Sequence, residues 1–148
     1  MVTLRYFTDA DASLLREKRY PDMSAAQVEE MIRKWNEKQV NGRDFEMFAV
    51  CDGVNVVGTV SLYQQTADTV SIGPEIFSDC RRRGYGTLAM RAAMDAAGDR
   101  GYKIAFAQIR TDNAASIALH EALGFESNGQ TFTNAKGNPV LFYLKSLI

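Results

Sequence analysis

Arg81-Arg82-Arg83-Gly84-Tyr85-Gly86-Thr87 sets the terms on which the whole chain is read. It follows a strand-like run, Val70 to Phe77, and opens a helix-like run, Leu88 to Ala97. Two glycines at such a junction let the backbone turn tightly and approach a ligand with no Cβ in the way. The unsatisfied amides of a helix's first turn point outward with the positive end of the dipole behind them. That arrangement suits a phosphate or pyrophosphate. The three arginines add fixed positive charge and forked donors. A nucleotide-like cofactor is the first expectation.

Three readings of this loop stand open. Gly84-x-Gly86-x-x-Ala89 satisfies the dinucleotide fingerprint, with Asp112 after the next strand-like run as a ribose-binding acid. Arg81-x-x-Gly84-x-Gly86 resembles the Q/R-x-x-G-x-G/A signature of the GNAT superfamily of N-acetyltransferases, where the loop holds the pyrophosphate of acetyl-CoA. The third is a plain strand-to-helix turn with solvated arginines.

Bulk properties narrow the field. A chain of 148 residues fits one domain over 1–148. Its net charge of −1 argues against a general nucleic-acid or anionic-membrane binder, and the arginines cluster at one loop, which favours a small anionic ligand. Cys51 and Cys80 form no C-x-x-C, and with one histidine, His120, no metal site is expected. Two free thiols, no secretory signal and no membrane-length apolar run point to a cytoplasmic protein.

Element order discriminates between the readings. Val2 to Tyr6 alternates like a short strand, and Thr8 or Asp9 can cap a helix that Pro21-Asp22 breaks. Ser24-Ala25-Ala26-Gln27 reads as a capping box, followed by Val28, Met31, Ile32 and Trp35 at helical spacing. Phe45 to Cys51 and Val54 to Tyr63 form a hairpin about Asp52-Gly53. The helix after the loop carries a small face, Ala89, Ala92, Ala93, Ala96 and Ala97, and should end at Gly98 and Gly101. Lys103 to Ile109 is a further strand, Asn113 to Leu123 a last helix, and Phe125 to Thr133 and Val140 to Leu147 a closing hairpin. The order β-α-α-β-β-β-α-β-α-β-β predicts an α/β (α+β) fold: a six- to seven-stranded mixed sheet with helices on both faces. A doubly wound dinucleotide fold instead places its glycine loop after the first strand.

The resemblance to GNAT transferases runs over essentially the whole chain. Ser71-Ile72-Gly73-Pro74-Glu75-Ile76 takes the place of the family's fourth strand, where a bulge opens a wedge for the pantetheine arm. By that resemblance Pro74, Glu75 and Ile76 bind the arm and thioester, and the amides of Arg82, Arg83, Gly84, Tyr85, Gly86 and Thr87 cradle the pyrophosphate. Asn113-Ala114-Ala115-Ser116-Ile117-Ala118-Leu119-His120-Glu121-Ala122-Leu123-Gly124-Phe125 is similar to the N-x-x-S/A-x-x-L-Y/H-x-x-L-G-F segment, which implies cofactor contacts at Asn113 and Ser116. Asn113 also has an ordinary explanation as a helix N-cap.

His120 stands where many members carry a tyrosine that protonates the leaving thiolate, and imidazole titrates near neutral pH. The alternative is a histidine satisfied by a backbone carbonyl. Two departures matter: Gln108 and Ser71 stand where some members have a glutamate base. Glu75 is the nearest carboxylate left for catalysis, with Glu46 and Asp112 weaker. The resemblance implies acetyl transfer to a primary amine, with acetyl-CoA as co-substrate and a homodimer allowed. Arg19 and Tyr20, with Glu46 opposite, are the candidate acceptor contacts, and Arg16 and Arg19 suit a carboxylate, as in a small amino-acid-like acceptor. The competing function is an acyl-CoA-binding sensor of the same fold without turnover.

Overall fold

The computed structural model describes residues 1–148. β1 (Val2–Tyr6) leads through a 3-10 turn at Asp9–Asp11 into α1 (Ala12–Lys18). α1 stops at Arg19, two residues before Pro21, whose ring cannot continue a helix. α2 (Ala25–Trp35) starts with the expected capping box: Ser24 Oγ accepts from the Gln27 amide at 3.1 Å, and Gln27 Oε1 accepts from the Ser24 amide at 2.8 Å. A two-residue strand, β2 (Gln39–Val40), was not expected; Asn41 and Gly42, both at positive φ, turn it onto β3 (Arg43–Asp52). β4 (Asn55–Gln64) and β5 (Thr69–Ile76) complete an antiparallel meander.

α3 (Tyr85–Asp99) begins three residues earlier and ends two later than the helix-like run Leu88 to Ala97. Gly98 lies inside it, and Gly101, at φ +89°, performs the reversal. β6 (Ile104–Arg110), α4 (Ala114–Ala122), β7 (Thr131–Thr133) and β8 (Pro139–Ser146) follow. The run expected as a strand from Phe125 to Thr133 is strand only at its end; Gly124 at positive φ leaves one bridge, Glu126 to Leu144, before a loop.

The main sheet path runs β1-β3-β4-β5-β6-β8-β7, with β2 paired to β3, eight strands in all. Every pair is antiparallel except β5 with β6. One parallel pair in an otherwise antiparallel sheet excludes the doubly wound dinucleotide fold. α3 and α4 cover one face, over a core that includes Val50, Val60, Val70, Ile72, Met90, Ala93 and Tyr143. α1 and α2 cover the other, where Leu15, Val28 and Ile32 meet Phe7, Ala49 and Phe77. The alanine face of α3 is fully buried at Ala89, Ala93 and Ala97, which brings that helix close to the sheet.

Candidate active site

The site begins where β5 and β6 part. They pair only through Thr69–Ile104, Val70–Ala105 and Ser71–Phe106. From Ile72 onward β5 presents the side facing β6 with no strand partner, and a wedge opens. The expected bulge is not its cause: β5 keeps an unbroken register with β4 from Val70 to Ile76. The one irregularity lies between β3 and β4, at Val50/Cys51. Close to it, Gly58 lies so near β5 that a Cβ there would sit 2.3 Å from the Glu75 carbonyl oxygen. β5 is thus held tightly on the β4 side while free on the other.

At the open end of β5 the chain passes Ser78–Cys80 and enters the arginine-glycine loop. Arg82 and Gly84 both adopt positive φ, +66° and +81°, flanking Arg83 in a turn that makes a concave surface of amides. Gly84 is the N-cap of α3 and supplies no side-chain cap; the helix's first bond to it is Leu88 N–H to Gly84 C=O at 3.2 Å. None of the backbone amides from Arg81 to Thr87 has an acceptor within the chain. A Cβ added at Gly84 would meet nothing within 4 Å, so the space over the loop is open. A row of free amides at the positive end of a 15-residue helix is a fit for the pyrophosphate of a nucleotide-like group. The side chains divide. Arg81 Nε donates to the Ile76 carbonyl at 3.1 Å, tying the loop to β5, while Tyr85 donates its hydroxyl to Asp52 at 2.5 Å. Arg82 and Arg83 make no ion pair.

α4 closes the wedge. Asn113 Oδ1 caps it by accepting from the Ser116 amide at 3.2 Å, as an ordinary N-cap does, and its amide nitrogen makes no bond. One turn on, His120 is buried, 4% exposed, with its ring edge-on to Phe125 at 4.9 Å. Nδ1 lies 2.8 Å from the Ser116 carbonyl oxygen and 3.4 Å from Ser116 Oγ. A carbonyl only accepts, so Nδ1 carries the proton and Nε2 the lone pair in the neutral ring. Nε2 has no partner in the chain, yet no buried side-chain nitrogen or oxygen is left unsatisfied. Nε2 is therefore the atom by which His120 reaches open space.

That space is a cavity of about 490 Å³ between the parted strands. Ser71, Ile72, Gly73 and Pro74 line it from β5, Ala107 to Ile109 from β6, and Ser116 and His120 from α4. Phe45, Ser61, Tyr63, Gln65 and Phe106 form its mouth on the α1–α2 side. Its lining contains no Asp, Glu, Lys or Arg.

The other expected residues are placed as follows. Arg19 forms an ion pair with Glu75 at 2.7 Å and lies over the Tyr20 ring at 4.9 Å, so these three meet at the end of β5. Glu75 does not line the cavity. Glu46 is on the opposite face of β3, bound by Arg100 and by the Tyr6 hydroxyl. Although burial pushes its carboxyl up, those two hydrogen bonds hold it below its ordinary value. It is a fixed anion at the far end of α3, and the structure does not bring it to the wedge. Asp112 pairs with Arg110 at 2.8 Å on the surface. The mouth residues Phe45, Tyr63 and Phe106 escaped the sequence reading. Strand alternation places Tyr63 and Ser71 on one face, but only the β4–β5 and β5–β6 registers bring them together.

The profile of the Acetyltransferase (GNAT) domain matches residues 2–126 of this chain. The chain belongs to the GNAT family of acetyltransferases. A 62-residue stretch is 39% identical to an L-methionine sulfoximine/L-methionine sulfone acetyltransferase of Pseudomonas paraeruginosa, covering 42% of this chain and 36% of that one. A 66-residue stretch is 35% identical to the [ribosomal protein bS18]-alanine N-acetyltransferase of Salmonella typhimurium, covering 45% and 42%. The matches therefore span well under half the length of these curated relatives. Among solved structures, the spermidine N-acetyltransferase of Vibrio cholerae in complex with CoA and spermine superposes with a TM-score of 0.78 at 18% identity. That superposition covers 99% of this chain and 95% of the other, a likeness of fold. No helix of this GNAT chain is long and apolar enough to cross a membrane.

Proposed function

We propose that this chain transfers the acetyl group of acetyl-CoA to the primary amine of a small amino-acid-like molecule. The observation that carries the proposal is the loop of acceptor-free amides from Arg81 to Thr87, tied by Arg81 to the Ile76 carbonyl at the unpartnered end of β5. The loop amides and Arg82 and Arg83 would hold the pyrophosphate, and Asn113 and Ser116 would flank it. The unpartnered edge of β5 at Pro74 to Ile76 would bind the pantetheine arm, as a strand binds an extended chain.

Bound acetyl-CoA supplies the acyl group: the amine nitrogen bonds to the carbonyl carbon, the C–S bond breaks, and CoA leaves as a thiolate. One proton must leave the amine and one must reach the sulfur. His120 Nε2 can serve both ends, because Nδ1 is held by Ser116 and Nε2 alone faces the cavity. A dedicated carboxylate base is absent from the cavity, and desolvation supports deprotonation in its place. An ammonium drawn into a lining without charge is disfavoured relative to the neutral amine, which is the attacking form. Cys80 is poorly suited as an acyl-carrying nucleophile: burial and the neighbouring Asp79 push its thiol up. Direct transfer follows. Arg19, beside Glu75 and Tyr20 at the end of β5, would receive an acceptor carboxylate.

Calorimetric titration with acetyl-CoA, with NAD as comparison, tests the first half. Micromolar binding of acetyl-CoA alone, lost in Gly84→Glu, is expected, because the variant sets a carboxylate over the amides. A thiol-release screen over amines tests the second half. Tight acetyl-CoA binding with no turnover on any amine would replace the transferase by an acyl-CoA-binding sensor.

A further inference from the structure

The sheet carries an aromatic surface that continues the acceptor side of the cavity. Phe106 belongs to both. It lines the cavity mouth, and its ring centroid lies 5.5 Å from that of Phe142 on β8, which stacks at 4.7 Å and 24° on Phe132 of β7. Across the mouth, Phe45 and Tyr63 meet edge-to-face at 6.0 Å. The ladder is open: Phe142 is 36% and Phe132 40% exposed. The core beneath α1 and α2 includes no side chain of β6, β7 or β8, so neither helix shields it.

We infer that the acceptor carries its amine on an aromatic or large apolar group, which rests on Phe106, Phe142 and Phe132 with Phe45 and Tyr63 opposite. The inference rests on the transferase reading above and names the substrate class of the same site. Two observations favour this occupant. The ladder is continuous with the cavity into which His120 opens, so an amine at the wedge has its substituent directed along it. The lining offers no carboxylate for a second ammonium, which disfavours a polyamine.

The test is thiol release with L-phenylalanine, phenethylamine, L-alanine and spermidine as acceptors, in the unaltered protein and in Phe106→Leu and Phe142→Ala. The surface position of Phe142 makes its replacement compatible with folding, checked by the thermal midpoint. An aromatic acceptor should exceed L-alanine and spermidine in kcat/KM by about tenfold or more. Each variant should raise KM for it several-fold with kcat little changed. Preference for spermidine or L-alanine, with both variants neutral, would overturn the inference while leaving the transferase in place. Sedimentation showing a dimer that Phe142→Ala dissociates, with KM unaltered, would give the ladder to a second copy and also overturn it. Absence of turnover with every amine despite bound acetyl-CoA would remove the transferase reading and the inference with it.

Discussion

Gly58→Ala puts the strand geometry behind the site to a direct test. A Cβ at this position would lie 2.3 Å from the Glu75 carbonyl oxygen, 2.9 Å from Ile76 Cα and 3.1 Å from the Glu75 carbonyl carbon. All three are backbone atoms, so no rotamer can yield. Ordinary contact begins at 3.4 Å, and the difference, 3.4 − 2.3 = 1.1 Å, is the displacement the end of β5 must make from β4. Over-packing of this kind costs about 1–3 kcal/mol. With an unfolding entropy near ~2.1 cal/mol/K per residue, a chain of this size has about 0.3 kcal/mol/K, which converts that cost to a fall in Tm of about 3–10 °C. The displaced residues are also those proposed to hold the thioester arm. Thermal unfolding by circular dichroism, with acetyl-CoA titration of the same sample, should show a lower Tm and weaker binding together. A variant melting within 1 °C of the parent (roughly the ~0.3 kcal/mol level) and binding acetyl-CoA unchanged would refute the argument that this close approach shapes the wedge.

Two further outcomes are expected. His120→Gln keeps a polar side chain at the cavity but has no ring nitrogen through which to pass a proton, so kcat should fall about 10²-fold or more; unchanged turnover would leave His120 with only its bond to Ser116. Asp11 accepts from both terminal nitrogens of Arg5 at 2.9 Å and from the Thr8 amide at 2.8 Å. The Arg5 hydrogen bonds, helped by Thr8, hold its carboxyl below the ordinary range. A depressed carboxyl stabilises above its unfolded pKa of about 3.9 and loses that contribution as pH falls through its folded value. Asp11→Asn should cost about 1–2 kcal/mol in urea unfolding at neutral pH. The gap should close in acid, whereas a gap independent of pH would contradict the charge argument.

Local signals in the sequence carried most of the fold because they act over short range. The capping box at Ser24 and Gln27, the Asp52-Gly53 hairpin and the glycine junction at Gly84 each needed only neighbours along the chain. Boundaries moved where tertiary packing outweighed propensity: Gly98 stays helical because α3 continues to pack on the sheet through Ala97. β2 was missed although Asn41-Gly42 is a good turn signal, since two exposed residues have no periodicity to read. The place of the loop at the start of α3 and of His120 on α4 could be read because each motif is contiguous. Glu46 was misjudged because side-chain face depends on register, and one residue along a strand exchanges the acceptor face for the opposite one. Phe45, Tyr63 and Phe106 come from three strands, and their convergence exists only in the assembled sheet.

The short β5–β6 seam makes the sheet two antiparallel leaves, residues 2–76 and 104–146, laced together at one corner by three register pairs. A ligand seated in the gap touches both leaves and acts as a clasp between them. The chain's resistance to unfolding then becomes a gauge of that ligand's concentration, rising by about 1.4 kcal/mol for each tenfold excess over the dissociation constant. Slow hydrogen exchange at Thr69–Ser71 and Ile104–Phe106 would report the clasp closing, which makes occupancy visible in the backbone of the seam itself.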